Sequence, residues 1–296
     1  MNKKKFFISL LITFLILAVV FSSMVLFSAD GGKSSYDFLD TTVTKSKNIL
    51  VVGVDKDEKR ADVIMLLNVN SEDKTMSLIS IPRDTKVKVT GKTSKINGLM
   101  GKENGEELLT DAVRQLTGLS VHSFCKVTFE GLRNMFDILG GVTYDVPVDM
   151  DYDDPVQDLS IHLKAGKQKL SGADIEGLLR FRSGYANADL GRIDTQQDFL
   201  KEAVKQKLSI KYIFKLPAIM RELNENFSTN LTTLDILTLA IDARRCDGLS
   251  NYTLPGGAKY TGGVSYFVAD DDAHEQIAAL VGEDFVPTGL NDKVIE

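Results

Sequence analysis

The chain has 296 residues, 43% hydrophobic and 26% charged, with 35 Lys and Arg against 41 Asp and Glu for a net charge of −6. This balance excludes a disordered, collagen-like or multi-span membrane protein. It also argues against a nucleic-acid partner, because non-specific DNA affinity comes from cations that neutralise phosphates.

The apolar residues are concentrated first at the N-terminus. Phe6 to Phe27 contains no charged residue and follows Lys3, Lys4 and Lys5. As a helix it would be roughly 33 Å long, enough to cross the hydrocarbon core. A cleaved signal peptide has an apolar region of only about 7–15 residues, so an uncleaved signal anchor is expected. The positive-inside rule keeps the lysines cytoplasmic. The predicted organisation is a cytoplasmic tail over 1–5, a single-pass transmembrane anchor over 6–28, a juxtamembrane linker over 29–47 and an extracellular domain over 48–296.

Within that domain, Ile49 to Val54 is a continuous apolar run, the pattern of a strand buried on both faces. Val63 to Val69 and Met76 to Ile81 read as two further strands, joined by a hairpin turn over Asn70 to Lys74, and Pro82 ends the third. After a short extended piece at Val87 and Val89, helical spacing runs from Glu106 to Leu116 and stops at Gly118. A strand over Val121 to Phe129, a helix over Gly131 to Leu139 and a Gly140-Gly141 turn into strand Val142 to Val148 follow. Leu159 to Leu163 alternates as a half-exposed strand. Helices are expected over Ser171 to Leu179, capped by Ser171, and over Gln196 to Leu208, Leu216 to Leu223, Leu234 to Arg245 and Ala273 to Val281. Strands lie near Tyr252 and Phe267. The interleaving predicts an α/β fold: one domain with a mixed central sheet flanked by helices on both faces.

Cys125 and Cys246 lack metal-ligand spacing, and either a disulfide or free thiols would suit an exported protein. His122, His162 and His274 are scattered singly, so neither a histidine metal cluster nor a Ser/His/Asp triad is indicated.

The chemistry-bearing residues are charged ones at strand ends, where α/β folds assemble ligand sites. Asp55 follows the first strand, Arg60 and Asp62 precede the second, and Arg83-Asp84 follow Pro82. Lys95-Ile96-Asn97 lies in the next loop. Arg180-x-Arg182 and Asp189-x-Gly191-Arg192 with Gln196-Gln197 come later. An i,i+2 arginine pair points to one side only in extended chain, so the helix should have ended by Arg180. Carboxylates near several arginines suit a divalent cation and a polyanion: Mg²⁺ needs one or two protein carboxylates beside phosphate and water, and arginine forks bind phosphate oxygens. Structural ion pairs, or cations at a helix C-terminus, are the alternative.

In order, Asn48-Ile-Leu-Val-Val-Gly-Val-Asp55, Arg60-Ala-Asp62, Leu78-Ile-Ser-Ile-Pro-Arg-Asp84, Lys95-Ile-Asn97, Leu139-Gly-Gly-Val142, Arg180-Phe-Arg182 and Asp189-Leu-Gly-Arg-Ile193 with Gln196-Gln197 resemble the LytR-CpsA-Psr family. The resemblance covers about Asn48 to Leu208. It implies a membrane-anchored phosphotransferase of the cell envelope. Such an enzyme moves a glycopolymer, of teichoic acid or capsular polysaccharide type, from an undecaprenyl-pyrophosphate carrier to the muramic acid C6 hydroxyl of peptidoglycan. Carried over by motif, Asp55 and Asp62 would hold Mg²⁺ or Mn²⁺. Arg60, Arg83, Lys95, Arg180, Arg182, Arg192 and Gln196 would surround the pyrophosphate, with Arg83, Asp62 and Arg182 as the catalytic residues. The polyprenyl chain would lie between sheet and helices. Two positions depart from the family pattern, since Asp57 and Thr195 stand where arginines are usual. A non-catalytic sensor or scaffold for lipid-linked glycan, or a polyprenyl-pyrophosphate hydrolase, is the alternative function.

Overall fold

Adjacent apolar runs build the centre of the fold. The computed structural model describes residues 46–54, 57–89, 91–154, 159–181, 189–207 and 210–282. The expected anchor over 6–28, the linker up to residue 45, Asp55 and Arg182 lie outside these residues. Among the described residues no helix is long and apolar enough to cross a membrane.

Strands β1 (Ser46–Val54), β2 (Ala61–Asn70) and β3 (Thr75–Ser80) pair as an antiparallel meander. The predicted hairpin forms because the Asn70 side-chain carbonyl accepts the backbone N–H groups of Glu72 and Asp73, an Asx turn. The hairpin β4 (Lys86–Val89) and β5 (Lys92–Lys95) follows, then a short 3-10 turn over Ile96–Leu99, helix α1 (Gly105–Thr117) and strand β6 (Ser123–Thr128). Gly118 ends α1 in a left-handed conformation, as its position predicts. Helix α2 (Phe129–Ile138) starts two residues earlier than expected, because the Thr128 hydroxyl caps it by accepting from Gly131 N.

Strands β7 (Val142–Val146), β8 (Met150–Asp154), β9 (Leu159–Leu163) and β10 (Gly166–Leu170) form two small ladders, β7 with β10 and β8 with β9. Helix α3 (Gly172–Arg180) carries a full capping box between Ser171 and Asp174. It ends where the arginine spacing indicated, with Phe181 extended (ψ 131°). Helix α4 (Asp189–Lys207) begins almost two turns before the expected Gln196. Helix α5 (Leu216–Asn226), strand β11 (Phe227–Thr229), helix α6 (Thr233–Arg245), strand β12 (Leu249–Thr253), the hairpin β13 (Gly256–Thr261) and β14 (Val264–Ala269), and helix α7 (Ala273–Val281) complete the order.

The central sheet has six strands in the order β11-β6-β1-β2-β3-β12, mixed as predicted, with β1–β6 and β3–β12 parallel. Alternation along the strands divides two cores. Leu50, Val52, Leu66 and Ile79 pack with α1 and α7 on one face. Met65, Val69, Met76 and Leu78 meet α4 and α6 on the other. A further core joins α2, α3, α4 and strands β7–β10 around Phe199, whose ring meets Phe136 and Tyr144 edge-on at 5.4 and 5.5 Å.

The Gly140-Gly141 turn has distinct requirements at its two positions. Both have positive φ, but a Cβ at Gly141 would lie 2.3 Å from the Leu170 carbonyl oxygen, whereas at Gly140 it would meet only the Lys215 ammonium at 4.0 Å. Gly141→Ala should therefore cost about 3 kcal/mol from strain plus overlap, and Gly140→Ala about 1–2 kcal/mol from strain alone. Urea-unfolding midpoints of the two variants will check this order.

Both cysteines are free thiols. Burial pushes the Cys125 thiol up to about 11 against an opposing hydrogen bond with Thr229. Burial, reinforced by Asp242 and Asp247, also raises Cys246. Reaction needs the thiolate, so at pH 8 alkylation of the native chain should be slow at both positions and become rapid on unfolding. Mass spectrometry of chain quenched at intervals reads this directly. Because Cys125 stays protonated in the fold but ionises near 9 once exposed, its contribution to stability is intact below pH 9 and is lost as pH rises towards 11.

Candidate active site

Antiparallel pairing of Met65 with Ser80 brings the start of β2 beside the exit of β3. Asp62 stands at that start. Pro82 interrupts the third strand, and the following turn places Arg83 so that its Nη1 donates to Asp62 Oδ1 at 2.7 Å. Both side chains are about one-fifth exposed (20% and 19%). Arg83 Nε is buried without a hydrogen-bond partner among the described residues. A guanidinium donor left over in this way is suited to an incoming anion, since buried polar groups are ordinarily satisfied.

The opposite wall is α4. Its early start puts Arg192 and Gln196 one turn apart on one face, and both are 3% exposed. Gln196 Nε2 donates to the Leu179 carbonyl at 2.8 Å, tying α4 to the end of α3. The neighbouring Gln197 Nε2 donates to Ser80 Oγ and the Tyr252 carbonyl, each at 2.9 Å, tying the same helix to β3 and β12. Asp62, Ser80, Pro82, Arg83, Arg192 and Gln196 line a narrow pocket between sheet and helix.

Of the remaining predicted residues, Lys95, Arg60 and Arg180 are not among those that line the pocket, and Asp55 and Arg182 lie outside the described residues. Lys95 Nζ pairs with Asp84 Oδ1 at 2.9 Å. Its loop is stitched to the Arg83 turn by Asn97 N–H donating to Arg83 O and Ile96 N–H to Thr85 O. Arg60 is exposed, two residues before Asp62. Arg180 donates to Glu176 at 2.8 Å and lies over the Phe129 ring at 4.7 Å; Arg133 shares Glu176 at 3.3 Å. Asp57 is exposed on its loop. Thr195 is buried, its hydroxyl bonded to the Gly191 carbonyl one turn back.

Several relationships were invisible in sequence. The bracing role of Gln197 depends on partners 55 and 117 residues away. His162 is not isolated: Nδ1 lies 2.7 Å from Asp151 and Nε2 lies 2.9 Å from Ser160 Oγ, a Ser/His/Asp string that the scattered spacing did not indicate. Period-two alternation and the β8–β9 register create it. Ser160 donates its proton to Asp153 at 2.6 Å, and the whole string is solvent-exposed, so it lacks the arrangement of an activated nucleophile.

Among the described residues no group of three or more His, Cys, Asp or Glu side chains is placed to hold a metal ion. Among the described residues the pocket is lined by one carboxylate, Asp62, beside the cations Arg83 and Arg192. That donor set fits Mg²⁺ held largely by substrate phosphate and water, with one or two protein carboxylates.

The LytR_cpsA_psr family model matches residues 25–281, well beyond the stretch that carries the sequence motifs. The chain belongs to this family. It is 28% identical over 262 residues to the polyisoprenyl-teichoic acid–peptidoglycan teichoic acid transferase TagV of Bacillus subtilis strain 168, covering 82% of this chain and 66% of that protein. The similarly named TagU of the same strain is 28% identical over 246 residues, covering 80% and 77%. The crystal structure of B. subtilis TagV superposes with a TM-score of 0.69 at 26% identity, over 81% of this chain and 97% of that one. This family protein thus has the fold of its solved relatives, with the Arg83–Asp62 pair lining the pocket.

Proposed function

We propose that this LytR-CpsA-Psr protein transfers a glycopolymer from an undecaprenyl-pyrophosphate carrier to the muramic acid C6 hydroxyl of peptidoglycan. The observation that carries the reading is the Arg83–Asp62 pair facing buried Arg192 and Gln196 across one pocket. Relatives named as teichoic acid transferases support it.

The acceptor hydroxyl attacks the phosphorus that bears the glycan, in line with the bridging oxygen. A new P–O bond forms, the bond to the bridging oxygen breaks, and polyprenyl phosphate departs with the electron pair. Asp62 takes the hydroxyl proton. Arg83 and Arg192 offset charge on the leaving and equatorial oxygens. Gln196 holds the wall against the end of α3, and Lys95, Arg60, Arg180 and Arg182 strengthen the positive field around it. Asp62 with Asp55 would hold Mg²⁺ or Mn²⁺, which supplies Lewis-acid polarisation of the phosphates. An N-terminal anchor over 6–28 would tether the extracellular domain in the leaflet that carries the donor, raising its effective concentration.

The test uses the full chain in vesicles with a lipid-pyrophosphate-linked glycan and peptidoglycan. Polymer attached to peptidoglycan is the expected product. Chelation should abolish transfer and added Mg²⁺ or Mn²⁺ restore it. Release of free phosphorylated glycan would instead make the protein a hydrolase, and binding without turnover would make it a sensor.

A further inference from the structure

Helix α6 is apolar on two sides. Leu239 and Ala243 pack on the sheet with Met65, Val69 and Leu78. With about 3.6 residues per turn, Leu234, Thr238, Ile241 and Arg245 form a row on the other side. Leu234 and Ile241 are 69% and 52% exposed. Thr238 turns its hydroxyl back into the helix, where Oγ1 donates to the Leu234 carbonyl at 2.7 Å, so the row presents its methyl group. Both acids of the helix are engaged. Asp235 closes a capping box with Thr232, and Asp242 takes Lys47 Nζ at 3.2 Å and Arg245 Nη1 at 3.7 Å. Arg244 and Arg245 are exposed at the C-terminal end. A helix on the surface of a globular domain ordinarily turns polar residues outward. An outward apolar row that ends in cations is the pattern of a helix lying in a lipid interface.

The place of α6 in the fold points to the same partner. Lys47 is the second residue of β1, so its bond to Asp242 sets the entry of the chain beside Ile241. Upstream lies the charge-free apolar run Phe6 to Phe27, and the residues between that run and β1 span at most about 60 Å when extended. A run held in a bilayer therefore keeps α6 within reach of the lipid surface. Helix α6 also covers the sheet face on which α4 packs, and α4 carries Arg192 and Gln196 of the pocket. We propose that the outward row of α6 docks the domain on the bilayer surface. Leu234 and Ile241 enter the boundary between headgroups and acyl chains, and Arg244 and Arg245 meet anionic headgroups. Docking turns the pocket-bearing side of the sheet towards the leaflet. The inference rests on the N-terminal anchor of the proposed function, and adds a second, reversible contact that orients the domain.

The chain contains no tryptophan, so a single introduced tryptophan reports only its own surroundings. The test reconstitutes the full chain in vesicles of phosphatidylcholine and phosphatidylglycerol, with and without lipid brominated near the carbonyl end of its acyl chains. Leu234→Trp and Ile241→Trp should each lose roughly half of their emission to the brominated lipid, because an interfacial helix sits about 5–10 Å into that region. Tyr260→Trp, at a position 76% exposed on the β13–β14 hairpin, should lose none. Adding Ile241→Glu to the Leu234→Trp chain should abolish the quenching while Tm holds, since both positions are exposed. Emission from Leu234→Trp and Ile241→Trp that brominated lipid leaves unchanged would overturn the docking. A blue shift would then show the row covered by protein, the linker or a second copy, and no shift would show it in water. Equal quenching of Tyr260→Trp would overturn it as well. Phe14→Trp separates the docking from the anchor. Quenching at position 14 without quenching on α6 leaves the anchor standing and removes the docking, and quenching on α6 alone does the reverse.

Discussion

Arg83→Ala should lower turnover at least tenfold, equivalent to about 1.4 kcal/mol or more of transition-state stabilisation. Two consequences of one deletion act together. The pocket loses the guanidinium whose Nε has no protein partner among the described residues, and the Asp62 carboxylate loses its 2.7 Å donor. Removing one donor from a preorganised charge-stabilising site commonly costs about 10²–10³ in rate, so tenfold is a floor. Arg83→Lys restores a positive charge without the fork and should fall between alanine and wild type. The measurement is steady-state transfer from a lipid-pyrophosphate donor, with the melting temperature of each variant as the control for folding. Arg182→Ala, by its place in the family motif, should show a loss of similar size. Wild-type rates in both alanine variants would refute the assigned site.

The largest stability effect is expected at Phe199. Its side chain is fully buried and joins Phe136 and Tyr144 in edge-on contacts. Phe199→Ala should cost about 3–5 kcal/mol, from lost burial and a cavity the surrounding core cannot collapse into. For a domain of this size that is a fall of roughly 10 °C in Tm, measurable by calorimetry. Phe199 lies on α4 two turns beyond Arg192, so activity at temperatures below unfolding should drop too as the helix loosens from the second core. Phe199→Leu, which refills most of the volume, should recover much of both losses.

The elements that sequence reading placed well are those whose local chemistry agrees with their burial. The run Ile49 to Val54 is a central strand because both of its faces are covered. Ser171 caps α3 through a reciprocal bond with Asp174. Elements that escaped it lack such agreement. Strand β8 reads Met-Asp-Tyr-Asp-Asp and β10 reads Gly-Lys-Gln-Lys-Leu, too polar to show an apolar period. They are strands because partners in β9 and β7 supply their ladders. The first turns of α4 were hidden by Gly191 and by its charged opening, which carry little helical preference of their own.

The sequence by itself determined the class of the fold, the order of its principal strands and helices, and the motifs that mark the family. Those properties follow from alternation, capping and turn residues, which act over a few positions. Tertiary structure alone decided which charges meet. It separated Arg83, which lines the pocket and donates to Asp62, from Arg180, engaged by Glu176 and Phe129. It also assembled Lys86, Lys95 and Lys259 around Tyr266 from four strands. Pairings of that kind depend on register and packing between distant segments, for which neighbouring residues in the chain carry no signal.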